Sequence, residues 1–146
     1  MWNDKKSLIL SKACVVLFMA ALAACAVFAP RAFLGWFRYI SEGREIYFFI
    51  TIYLGCIPAA LILVFLYSLL HRIGKGDVFI GKNTDCLRRI SWCCFAGAAI
   101  SLVSSLYWIP WFAVSVAAAF MGLIVRVIKN VVAKAVSLQD EADFTI

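Results

Sequence analysis

The chain has 146 residues, of which 65% are hydrophobic and 15% charged, with a mean hydropathy of +0.96. A soluble domain of this size could not hide that much apolar surface, so a water-soluble globular protein is excluded. The formal net charge of +6 invites a nucleic-acid reading, but the basic residues are sorted to one side of the apolar blocks, as topology signals and lipid-phosphate contacts are, so no direct nucleic-acid contact is expected.

Uninterrupted apolar blocks run over residues 13–30, 46–70 and 90–125, the first of them opened by Lys12. A helix rises about 1.5 Å per residue, so a hydrocarbon core of roughly 30 Å takes about 20 residues. The first two blocks each suit one span; the third, 36 residues long, suits two joined by a tight turn. The blocks are continuous and do not alternate with period two, which excludes a barrel. The expected fold is all-α: one transmembrane domain over 1–146, with four helices spanning about 8–29, 46–70, 87–107 and 110–132. A cytoplasmic loop, 71–86, and a cytoplasmic tail, 133–146, complete it, the last helix extending beyond the bilayer.

In the first span, Leu22-Ala23-Ala24-Cys25 resembles a lipoprotein cleavage site. Lys12 breaks the required apolar region and the run continues to Phe28, so an uncleaved helix is expected. The following loop mixes Phe33, Leu34, Trp36, Phe37, Tyr39 and Ile40 with Arg31 and Arg38, which suits a short helix lying among headgroups; a docking surface is the alternative. Pro58 is expected to bend the second span.

In the second loop, Gly74, Gly76 and Gly81 permit tight turns, Asn83 or Thr84 is expected to cap the third helix, and Asp85 then falls in its first turn. Gly74-Lys75-Gly76 lacks the spacing of a phosphate-binding loop. The hairpin between the third and fourth spans is expected to turn near Trp108-Ile109-Pro110-Trp111, with Pro110 starting the last helix. Gly97, Ser101 and Ser105, Ala113 and Ala117, and Ala118 and Gly122 repeat every four residues. Such stripes let helices approach closely, either within one chain or in a homo-oligomer.

Of the 14 basic residues, 11 flank the start of the first span, the second loop or the end of the fourth span; only Arg31, Arg38 and Arg44 lie on the other side. That asymmetry puts both termini in the cytoplasm. Trp36, Trp108 and Trp111 at the outer boundary, with Trp2 and Trp92 at the inner one, agree with it. The apolar blocks 13–30, 46–70 and 90–125 contain no Asp, Glu, His, Lys or Arg, so neither a proton relay nor intramembrane catalysis has its ionisable group. The six cysteines form no C-x-x-C pair and lie in the spans or, for Cys86, on the inner side; His71 is the single histidine. No catalytic, cofactor-binding or metal-binding residues are therefore assigned, and an enzyme is not expected.

The last helix carries Arg126, Asn130, Lys134 and Ser137 on one face and Val127, Val131 and Leu138 on another. Its end, Asp140, Glu141 and Asp143 beside Phe144 and Ile146, suggests a tail docked on Arg72, Lys75, Arg88 or Arg89, provided Phe144 or Ile146 is buried.

Two segments carry a family resemblance. Gly76, Phe79, Asn83, Leu87, Arg88 and Ile90, then Leu138, Gln139, Glu141, Asp143, Thr145 and Ile146, match the two motifs of the bacterial membrane family called domain of unknown function 2975. Asp140 and Phe144 depart mildly, and Ala142 replaces the usual Asn. The resemblance implies a small four-helix protein of the bacterial plasma membrane with no established activity, often near genes for small helix-turn-helix regulators. Together these readings lead us to expect a regulatory or sensory membrane protein that engages a soluble regulatory protein or a membrane partner through this loop and tail. An accessory transporter subunit or self-immunity protein acting through helix contacts is the alternative.

Overall fold

The computed structural model describes residues 4–32, 35, 43, 45–76 and 80–145, the side chains of Asp4 and Thr145 excepted. Four helices follow one another: α1 (Asp4–Ala32), α2 (Glu45–Gly74), α3 (Gly81–Ser104) and α4 (Pro110–Thr145). All four are long and apolar enough to cross a membrane. Continuous apolar sequence explains this: each peptide group in hydrocarbon must bond within its own segment, and only a helix does so locally. Of the segment expected as an interfacial helix, Arg31 lies in the last turn of α1, while Phe33, Leu34, Trp36, Phe37, Arg38, Tyr39 and Ile40, like Arg44 and Trp2, lie outside the described residues.

Each helix packs on its neighbour in the chain, α1 on α2, α2 on α3 and α3 on α4, and the last of these interfaces is the most extensive. The start of α1 meets the end of α2, where a Cβ on Gly74 would stand 2.9 Å from Leu8 Cδ2 and 3.5 Å from Lys12 Nζ. That places the Lys12 ammonium at the carbonyl end of α2, where the helix dipole favours a cation.

Beside buried apolar residues such as Phe48, Leu69, Leu87 and Ile90, many large apolar side chains face outward and several polar ones face inward. Leu17, Phe18, Ile46 and Val103 are exposed, while Thr51, Asn83, Ser91, Ser101, Ser104 and Ser115 are buried. Lipid tails solvate large apolar side chains as well as a core does, so helix contacts go to small and hydrogen-bonding residues. In the α3–α4 hairpin, Ser91 Oγ donates to Gly122 O at 3.2 Å and Ser115 Oγ to Ala98 O at 2.8 Å. Two turns up α3 thus match two turns down α4, a strict antiparallel register. Gly122 marks the closest approach: a Cβ there would lie 3.0 Å from Phe95 Cε1 and 3.2 Å from Cys94 Cβ.

Several expectations require correction. Helix extends into the segment expected as the second loop, 71–86: α2 runs to Gly74 and α3 starts at Gly81. The N-cap of α3 is Ile80, without a side-chain bond, so neither Asn83 nor Thr84 caps it, and its first turn contains no acidic residue. The early start leaves Asn83 inside the helix and Asp85 in the second turn. Of the small-residue stripes, Gly122 lies in the seam and Ser101 is buried, whereas nothing lies within 4 Å of a Cβ built on Gly97, and Ala113 and Ala117 are exposed. The hairpin turn falls where expected, with Pro110 first in α4 and Phe112 N–H bonded to Ile109 O at 2.8 Å. α2 runs through Pro58 without ending.

Candidate functional site

The start of α1, the end of α2, the start of α3 and the end of α4 share one end of the molecule, and the two sequence motifs lie there. The loop motif divides between structure and surface. Gly76 turns the chain with φ +91°, a conformation glycine adopts at no steric cost. Phe79 lies outside the described residues. Asn83 is 1% exposed, and its Oδ1 accepts a hydrogen bond from Arg72 Nη1 at 3.4 Å, while the same nitrogen donates to Lys82 O at 3.3 Å. Leu87 and Ile90 are buried in a cluster with Leu69, Cys86 and Cys94, against which Phe65, Ile73 and Val132 pack. Cys86 Sγ donates to Phe65 O at 3.0 Å. Of this motif's charged side chains, Arg88 alone is left on the surface, exposed on α3.

The second motif stands apart. With Ser91 opposite Gly122, the first residue of α3 matches Val132, and α4 beyond that point overhangs its partner. No glycine or proline follows Gly122, so nothing breaks the helix, which continues to Thr145. From Ser137 to Phe144, Leu138, Gln139, Glu141 and Asp143 included, every side chain is exposed. Phe144 is 92% exposed, so the tail is not docked through its ring. Ile146 and the Thr145 side chain lie outside the described residues.

A feature the sequence reading missed lies at the opposite end. Between α2 and α3 a groove of about 730 Å³ is lined by Tyr47, Thr51, Leu54, Ile100, Ser104 and Tyr107, among others. Its hydroxyls converge: Thr51 Oγ1 is 2.8 Å from Ser104 Oγ, is bonded to the Tyr107 hydroxyl, and donates to Tyr47 O at 2.9 Å. Ser104 Oγ reaches Ile100 O at 2.9 Å and Tyr107 Oη reaches Tyr47 O at 3.2 Å. Three hydroxyl protons serve five contacts. Polar residues inside an apolar run, Thr51 and Ser104, were the available signal. Removing the Thr51 hydroxyl leaves the other two with their carbonyls, so Thr51→Val should change the unfolding free energy in detergent by less than about 1 kcal/mol. A loss of several would show that this hydroxyl organises the interface.

Four helices long and apolar enough to cross a membrane mark the chain as a multi-pass α-helical membrane protein. Residues 4–146 match the model of the family described as "Protein of unknown function (DUF2975)", and the chain belongs to that family. No curated protein and no solved structure is significantly similar to it.

Proposed function

We propose that the protein is a non-enzymatic membrane protein that holds a soluble partner, in regulation or sensing, at the end of the bundle that carries both termini, the cytoplasmic side of a bacterial plasma membrane. The supporting observation is the end of α4, where the side chains from Ser137 to Phe144 are all exposed. This helix sets Asp140, Glu141 and Asp143 near its own C-terminus, with no basic residue in its last turn. The negative end of the helix dipole opposes carboxylates there, by roughly 0.3–1 kcal/mol each when exposed. A partner with basic groups relieves that opposition, and a cleft for Leu138 and Phe144 supplies the apolar area that exposed ion pairs lack.

Affinity capture from native membranes in mild detergent tests this, with the full chain against a chain lacking its last nine residues, 138–146. The full chain should retain a soluble protein that the truncated one loses, and Asp143→Asn should weaken its capture several-fold. Identical captures from both would refute the proposal. A second reading, an accessory subunit or self-immunity protein working through helix contacts, draws on Ala113 and Ala117, small residues four apart that are exposed among the described residues. Under it Asp143→Asn is silent and Ala117→Leu abolishes the association.

A further inference from the structure

The α3–α4 hairpin carries a second kind of surface. Arg88, Ser91 and Trp92 of α3 and Arg126 and Lys129 of α4 line a recess of about 130 Å³. Three of these five side chains are cationic and none is acidic. On the opposite side of α3 the cations are differently placed. There Arg72, Lys82 and Arg89 line a recess together with Asp85, Arg72 is bonded to Lys82 O and Asn83 Oδ1, and the Arg89 guanidinium lies 5.8 Å from the centre of the Phe65 ring. Arg88, Arg126 and Lys129 have no such partner among the described residues. Like charges gathered at the edge of a low-dielectric slab repel, and one anion among them turns every such term attractive.

The position fixes which anion. Uncharged sequence runs from Ile90 to Val125, so the adjacent Arg89 and Arg88 on α3 and Arg126 on α4 are the first charges met on leaving the hydrocarbon, and of the α3 pair Arg88 is the one that lines this recess. Trp92, 62% exposed, lies one turn deeper than Arg88, at the level an indole takes between tails and headgroups. Lipid phosphates occupy this boundary. The floor of the recess is held by the Ser91–Gly122 bond, and the close approach at Gly122 sets the spacing of the two helices just inside it. At about 30 Å³ per water molecule, the recess equals roughly four waters, room for one phosphate group.

We infer that this recess binds the phosphodiester headgroup of an anionic phospholipid, held by Arg88, Arg126 and Lys129, with the acyl chains running past Trp92 along the outside of the hairpin. The inference requires the chain to span a bilayer and is independent of any soluble partner. Cations beside an anionic lipid surface contribute about a fivefold factor each, so losing three should weaken binding on the order of 100-fold.

The test uses the full chain in neutral detergent, read by native mass spectrometry and thermal unfolding. Phosphatidylglycerol should remain bound as a single adduct and raise the unfolding midpoint, whereas phosphatidylcholine should do neither. The triple variant Arg88→Gln, Arg126→Gln and Lys129→Gln should lose both effects. The control Lys5→Gln, Lys6→Gln and Lys134→Gln removes the same charge elsewhere and should keep them. If the triple variant does not fold, Lys129→Gln alone, at the outer lip, should reduce the adduct several-fold. Equal losses in variant and control would reduce the effect to net charge and overturn the inference. An equal midpoint shift with millimolar inorganic phosphate would make the recess a general anion site and remove the lipid.

Discussion

Replacing Gly122 by Leu should separate α3 from α4 and cost the protein about 1–3 kcal/mol in overpacking alone. Ser91 loses its acceptor as the backbones part, which adds roughly 0.6–1.7 kcal/mol, the range for hydrogen bonds between membrane helices. The reason lies in what meets the new side chain. The Phe95 ring, 3.0 Å from an added Cβ, can swing, but the Cys94 Cβ at 3.2 Å is bonded to the backbone and cannot. Gly97 supplies the control, since nothing lies within 4 Å of a Cβ built there. Gly97→Ala should therefore stabilise by up to about 1 kcal/mol, the ordinary gain of alanine over glycine within a helix. In Gly122→Ala the same gain is offset by the contact with Cys94, leaving a change near zero. Unfolding in mixed detergent micelles orders the four proteins as Gly97→Ala, then wild type with Gly122→Ala, then Gly122→Leu. A Gly122→Leu variant as stable as wild type would mean the two helices do not meet at this residue.

That contrast also shows what the sequence could and could not convey. Four helices were legible because span length is set by bilayer thickness, and residues 90–125 are too many for one span and enough for two. The hairpin turn was legible because Pro110 has no N–H to offer a preceding turn. Which small residues face a partner was not legible. Gly97, Ala113 and Gly122 satisfy the same four-residue spacing, and only the register set by Ser91 and Ser115 selects Gly122. Asn83 misled for a related reason. An Asn near a helix start commonly caps it, but Arg72, brought back by the turn, takes its Oδ1 and holds it inside. For the site, the acidic end of the chain was legible as an unusual charge cluster. Its extension as helix to Thr145 follows from the absence of any glycine or proline after Gly122.

Orientation gives the other large effect. A reporter that works only in the cytoplasm should be fully active when fused after Ile146, and one that works only outside it should be active when inserted at Gly43. The helix pairing bears on this, because Lys12 beside Gly74, Arg72 beside Asn83 and the Arg88, Arg126 and Lys129 recess bring the charged segments to one end. Eleven basic residues lie at or beyond that end, and three lie on the other side of the spans. Each Lys or Arg costs about 2.5–3.5 kcal/mol at mid-membrane, and short loops rich in them are retained in the cytoplasm. The margin is wide enough to predict a graded response. Neutralising Arg72, Lys75, Lys82, Arg88 and Arg89 leaves six basic residues against three, and the orientation should hold. Adding four lysines between residues 33 and 44 to that variant makes it six against seven, and a mixed population should appear, with both reporters partly active. A wild-type chain whose C-terminal fusion works only outside the cytoplasm would turn the exposed end of α4 away from any cytoplasmic partner, and the proposed function would fall with it.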